Sequence, residues 1–284
     1  MPRAEADGAH IYFESHGSGE PLLLIAGFGS NATAYWANIP DLARHFRVIA
    51  IDPRGSGRSD APPGPYSMPL LAEDCAAVLD ACGVDAAHVV GASMGGMIAQ
   101  HLALRVPARV RGLVLACTTP GLPHHVLPPD EAIALFMEAA DIADPAEAVR
   151  AAYPLNYSDA YAAAHDAEIV ARSLANEHLR SKPEGRAAQL AAVQGHDTYD
   201  RLGDIAAPTL VLHGERDGIM PVENGRTLAA RIPAARLITW PEGRHLFFAE
   251  FSDEVDEAII AFLRDGRGAA TVGASATRSN EEDR

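Results

Sequence analysis

The chain is 284 residues long and 48% hydrophobic, enough for one large buried core. Its 38 acidic side chains outnumber 23 basic ones, and a net charge of −15 disfavours nucleic acid as a partner by repulsion. The three cysteines, Cys75, Cys82 and Cys117, are odd in number and irregularly spaced, which speaks for a reducing compartment rather than a disulfide framework. With no apolar run of membrane-span or signal-peptide length, the expectation is a cytoplasmic protein without membrane association, a monomer or a homodimer.

Ala9–Glu14 follows an Asp7-Gly8 turn signal, ends at His16-Gly-Ser-Gly19, and reads as a strand. Short apolar runs then alternate with helical patterns. The runs are Leu22–Ala26, Val48–Ile51, His88–Gly91, Leu113–Cys117, Thr209–His213 and Arg236–Thr239. Each is apolar on both faces, as suits a central parallel strand covered from two sides. Pro69–Cys82 carries Leu71, Cys75, Val78, Leu79 and Cys82 at helical spacing, with Gly83 as its stop. Met94–Arg105 is a second helix, ending before Pro107. Ser252 starts a last helix bearing Val255, Ile259, Ile260 and Leu263, closed by Gly266. This alternation predicts an α/β fold with a mostly parallel central sheet flanked by helices.

The alternation breaks between 121 and 203. Asp130–Asp141 places Ile133, Phe136, Met137 and Ala140 on one helix face. Asp144-Pro145-Ala-Glu147 reads as cap, first-turn proline and third-position acid, and Ser158 opens another alanine-rich helix. The chain therefore divides into 1–120 (first part of the core), 121–203 (helical insertion), 204–266 (second part of the core) and 267–284, a small, polar, aperiodic tail expected to be disordered.

Gly91-Ala-Ser93-Met-Gly95 lies where a strand gives way to a helix, and it matches G-x-S-x-G. Serine is a poor nucleophile at its free pKa, so Ser93 needs a base, and the base needs an orienting acid. Strand Thr209–His213 runs into a loop holding Asp217, and strand Arg236–Thr239 into one holding His245. The order Ser, Asp, His is the one this architecture uses. The segment Ala116–Pro120 offers no competing carboxylate, and no other histidine follows the last strand.

With Gly27-Phe28-Gly29 and Asp52-Pro-Arg-Gly-Ser-Gly-Arg-Ser59 added to these motifs, the sequence resembles the α/β-hydrolase superfamily over about residues 8–264. It is most similar to small serine carboxylesterases and 3-oxoadipate enol-lactonases, which share the Ser-Met-Gly-Gly elbow. The resemblance implies a Ser93–His245–Asp217 triad and an oxyanion hole from the backbone N–H groups of Phe28 and Met94. It also implies a helical cap formed by 121–203, no cofactor, and a small-molecule ester or lactone as substrate, cleaved through an acyl-enzyme. The same triad serves carbon–carbon bond hydrolases and perhydrolases. Gly-Phe-Gly followed by Trp36 also resembles ligand-binding signalling members with little turnover, the alternative from another class, while Gly95-Gly96 favours a hydrolase. Many relatives carry His-Gly where this chain has Ala26-Gly27, and that histidine supports the loop.

Phe28, Phe136 and Met137 are the candidate substrate-binding residues, although Phe136, Met137, Tyr153, Tyr157 and Tyr161 also suit a cap core. Asp52 and Arg54 read as a buried pair tying a strand-end loop. His124-His125 lacks a third ligand at useful spacing, so no metal is expected. The acidic surface repels anions unless a cap arginine such as Arg150 or Arg172 faces inward.

Overall fold

The computed structural model describes residues 2–265. Eight strands, β1 (Arg3–Ala6), β2 (Ala9–His16), β3 (Pro21–Ile25), β4 (Arg47–Ile51), β5 (Ala87–Ala92), β6 (Val110–Ala116), β7 (Thr209–Gly214) and β8 (Arg236–Trp240), form one sheet in the order β1-β2-β4-β3-β5-β6-β7-β8. The β1–β2 and β2–β4 pairs are antiparallel and the other pairs parallel. Apart from Arg236–Thr239, the apolar runs are central strands because both faces of each are covered. Leu23 and Ile25 of β3 belong to one core layer, while Leu22 and Leu24 belong to the other. All four are fully buried, each stabilising the fold by about 1.5–3 kcal/mol.

The helices in chain order are α1 (Ile39–Leu42), α2 (Met68–Ala81), α3 (Met94–Arg105), α4 (Asp130–Asp141), α5 (Pro145–Ala151), α6 (Tyr153–Asn156), α7 (Asp159–Ala175), α8 (Pro183–Gln194), α9 (Val222–Arg231), α10 (Phe247–Glu250) and α11 (Ser252–Asp265). Leu71 and Val78 of α2, Ile98 of α3 and Leu228 of α9 fill one layer. Leu42 of α1, Phe247 of α10 and Val255 of α11 fill the other. Helices α4–α8 lie between β6 and β7, and no described helix is long and apolar enough to cross a membrane. The Asp144 and Ser158 caps form as read, with side-chain oxygens accepting from Glu147 N and Tyr161 N.

The structure departs from the sequence reading at several points. The strand from Ala9 is the second arm of a hairpin whose first arm, β1, has no apolar run to announce it. β8 is an edge strand, with Arg236–Thr239 only partly buried rather than central. Helices α8 and α9 bury few large apolar side chains, and the sequence reading did not single them out. The apolar face of α4 is not packed away: Ile133 is 43% and Met137 58% exposed. The expected stop at Gly266 and the tail 267–284 lie outside the described residues.

Parallel strands bring their C-terminal ends to one edge of the sheet, and ligands of such sheets bind there. The loops after β3, β5, β7 and β8 carry Phe28, Ser93, Asp217 and His245 respectively.

Candidate active site

Ser93 is the hinge between β5 and α3. Its backbone has φ 56° and ψ −121°, a conformation that costs a side-chain-bearing residue about 1–3 kcal/mol. The surroundings hold it there: Ser93 N–H donates to Ala116 O at 2.9 Å, and the Thr118 hydroxyl donates to Ser93 O at 2.8 Å. The glycines around it are required by contact. A Cβ on Gly91 would overlap the Gly95 carbonyl, and one on Gly95 would overlap the carbonyl of Ile25. Strand, turn and helix can close this tightly only without side chains at both positions.

Asp217 is 5% exposed, and its Oδ1 accepts from Ile219 N at 2.9 Å and Met220 N at 2.8 Å. Its Oδ2 lies 2.8 Å from His245 Nδ1. Nδ1 therefore carries the proton and donates it to Asp217, which leaves Nε2 as the free lone pair. Ser93 and His245 line the same cavity. No hydrogen bond joins Ser93 Oγ to the ring among the described residues, and such contacts commonly tighten only with substrate bound. The His245 loop is stitched to α6, since His245 N–H donates to Leu155 O at 3.1 Å and Leu246 N–H to Asn156 O at 3.0 Å.

The loop after β3 turns through Gly27–Ser30, with Ser30 N–H donating to Gly27 O at 3.2 Å. Neither Phe28 N–H nor Met94 N–H donates to any acceptor among the described residues. The neighbouring Gly29 N–H does: it is held by Gln189 Oε1 at 2.9 Å. Gln189 is fully buried on α8, and its Nε2 donates to Arg54 O at 2.7 Å and to Ser56 Oγ at 2.8 Å. One side chain thus ties α8 to two loops at the strand ends. It supports the loop of Ala26-Gly27, where the sequence has no histidine to do so, and nothing local in the sequence marked it.

The expected Asp52–Arg54 pair is not formed. Asp52 instead takes Arg58 Nε at 2.8 Å and Ala32 N–H at 2.9 Å, while Arg54 forms a bidentate pair with Asp74 at 2.6 and 2.8 Å. The reason is reach. Arg58 closes back onto Asp52 from the far side of the Gly55–Gly57 turn, and Arg54 reaches Asp74 on α2 and the Asp7 carbonyl. Breaking the fully buried Arg54–Asp74 pair one-sidedly would cost about 3–5 kcal/mol.

A cavity of about 550 Å³ opens at Ser93, walled by core residues such as Phe28, Met94, Met97 and Phe248 and by Phe136, Val149 and Leu155 from α4–α6. Phe28 and Phe136 therefore line it, and Met137 does not. Tyr157 and Tyr161 stack on each other at 5.4 Å beside it rather than in it. Arg150 turns out to an exposed pair with Asp166, and Arg172 lies over Trp36 at 3.5 Å. The arginines that line the cavity are Arg180 and Arg186.

His124 stacks on Tyr199 at 3.5 Å. The one group of His, Cys, Asp and Glu with metal-like spacing among the described residues is Cys117, Asp217 and His245, within 4.8 Å of one another. Its donors are already committed: burial pushes the Cys117 thiol well above its ordinary pKa, and Asp217 and His245 bind each other. The arrangement is suited to proton transfer between a hydroxyl and an imidazole.

The family model for the alpha/beta hydrolase fold matches residues 20–252. RutD of Azorhizobium caulinodans, named for carbamate hydrolysis, is 33% identical over 272 residues, covering 92% of this chain and 98% of its own. A poly(3-hydroxyalkanoate) depolymerase of Ectopseudomonas oleovorans is 34% identical over 254 residues, covering 89% and 87%. Among solved structures, Est816, described as an N-acyl homoserine lactone degrading enzyme, superposes with a TM-score of 0.77 at 33% identity, covering 92% of this chain and 100% of that one.

Proposed function

The chain belongs to the α/β-hydrolase fold family, and from that premise we propose that it is a serine hydrolase cleaving carboxylic esters or lactones of small molecules through an acyl-enzyme. The observation that carries this reading is the 2.8 Å His245–Asp217 contact at the cavity that also holds Ser93 on its strained turn. His245 Nε2 takes the Ser93 proton as Oγ attacks the carbonyl carbon. Asp217 keeps the ring in the right tautomer and stabilises its cation. The negative charge that develops on the carbonyl oxygen meets the unclaimed N–H groups of Phe28 and Met94, each worth about 3–4 kcal/mol in comparable sites. The alkoxide leaves with the proton from His245. Water, deprotonated by the same nitrogen, then attacks the acyl-enzyme and releases the acid. Every proton moves through His245, so the chemistry calls for no cofactor.

In this reading residues 1–120 and 204–266 are the core, and 121–203 are a cap that roofs the nucleophile. The relatives' names support it: carbamates, polyesters and lactones all expel a heteroatom from an acyl carbon. The test is covalent labelling with a fluorophosphonate followed by mass spectrometry, alongside steady-state turnover of 4-nitrophenyl butyrate. One adduct, on Ser93, and many turnovers per enzyme are expected. Labelling elsewhere, or a single burst without turnover, overturns the reading.

A further inference from the structure

The cavity wall is apolar apart from a few groups, and besides His245 its charged residues are Glu177, Arg180 and Arg186. Arg180 and Glu177 neutralise each other at 3.0 Å. The Arg186 guanidinium has no carboxylate partner and donates to no acceptor among the described residues. This is unusual in a chain with 38 acidic side chains. Even the exposed arginines Arg150 and Arg216 find carboxylates, at 2.8 and 2.7 Å.

The position of Arg186 is well defined. α8 is pressed onto the strand-end loop where Gly185 meets Gly55 backbone to backbone, with no room for a side chain on either. The guanidinium carbon lies 5.7 Å from the Phe28 ring centroid, at the outer limit of a cation–π contact. A Cβ on Gly29 would be 4.0 Å from Arg186 Nε, while one on Gly27 would be 3.7 Å from Ser93 Oγ. The cation and the nucleophile therefore stand against the same short loop, two residues apart, which spans at most about 7 Å of extended chain. A partly desolvated guanidinium in an apolar wall presents a planar fork that fits a carboxylate bidentately.

We propose that Arg186 anchors a carboxylate on the substrate, so that the preferred substrates are esters or lactones bearing a free carboxylate a few carbons from the scissile carbonyl. The proposal rests on the hydrolase reading and narrows it to a substrate class. Long-range repulsion by the acidic surface slows such anions on approach, whereas the unpaired cation selects them once inside.

The test compares 4-nitrophenyl hydrogen glutarate with 4-nitrophenyl valerate, which matches it in chain length but lacks the second carboxylate. The wild type should favour the glutarate ester in kcat/KM. The ratio of the two kcat/KM values should fall on the order of 10- to 100-fold in Arg186→Met and by less in Arg186→Lys. An equal loss on both esters, or a wild type that prefers valerate, overturns the anchor. Calorimetric binding of glutarate itself separates the two readings, because it needs no turnover. Binding that weakens at least tenfold in Arg186→Met upholds the anchor even if neither ester is hydrolysed, which would count against the hydrolase reading alone. Equal binding by the wild type and Arg186→Met overturns the anchor.

Discussion

The backbone N–H of Gly29 donates to the side-chain oxygen of Gln189 at 2.9 Å, across 160 residues of sequence. The donor sits one residue from Phe28, so α8 sets the position of the proposed oxyanion loop. Gln189→Leu should lower kcat by about 10- to 100-fold with little change in KM, because a loop donor that drifts no longer meets the developing charge. Three polar partners lose their bonds in that variant, so a thermal melt on the same preparation separates loss of fold from loss of kcat. Affinity for a boronic acid that mimics the tetrahedral state should fall in parallel with kcat. A normal kcat in a folded Gln189→Leu protein would show that the loop holds itself.

Asp217→Asn should lose about 10⁴ in kcat, since an amide in that place favours the wrong imidazole tautomer. Stability should fall only modestly, because Asn Oδ1 can still accept from Ile219 and Met220 N–H. Stopped-flow acylation rates and a thermal melt on the same preparation check both halves. Full activity would mean that another group orients His245.

Asp256, 1% exposed on α11, accepts from Asn38 Nδ2 at 2.8 Å, and burial pushes its carboxyl up to about 7. The folded state therefore holds this proton where the unfolded chain, with a carboxyl near 3.9, has released it. Stability from this group is whole below about pH 4 and is lost as pH rises toward 7. Half-buried His101 and buried His196, held down to about 4 and about 3, act in the opposite sense: their contribution is present above about 6.5 and lost as pH falls. Asp256→Asn isolates the first effect. Its melting temperature relative to wild type should climb by about 3–8 °C between pH 5 and pH 8. A flat difference would place the carboxyl in the ordinary range.

Acyl length should matter in the sense set by the 550 Å³ cavity. Short or compact acyl groups should give the highest kcat/KM, and chains beyond about ten carbons should lose about 0.8 kcal/mol for each methylene left unburied. A homologous 4-nitrophenyl ester series measures this. A steady rise to long chains would mean that the site opens to a lipid-sized groove.

What could be read from the sequence was what local sterics dictate. Gly91 and Gly95 announce their turn because their neighbours leave no space for a side chain, and Asp217 and His245 follow their strands directly. Long-range partners left no such trace. Asp52 found Arg58 and Arg54 found Asp74, choices made by loop direction in three dimensions. Gln189 and Arg186 lie on a helix whose buried face is mostly alanine and glycine, and their meaning depends on a loop far away in the chain. The apolar periodicity of Asp130–Asp141 predicted the helix correctly but not its burial: Phe136 reaches the cavity and remains 40% exposed, and Met137 faces outward.

The backbone bonds from His245 and Leu246 to the carbonyls of Leu155 and Asn156 divide the roof into two economies of change. Any shift of α6 drags His245, the proposed base, with it, so in the proposed mechanism mutations there are filtered by proton transfer itself. α4 carries no such tether among the described residues, touches the cavity through Phe136 and Ala139, and leaves Ile133, Phe136 and Met137 exposed. A lineage can therefore redraw the α4 wall for a new acyl group at little risk to the chemistry, while α6 must be inherited almost intact. Laboratory evolution of this scaffold should accumulate its substitutions accordingly, crowding onto one side of the roof and sparing the other.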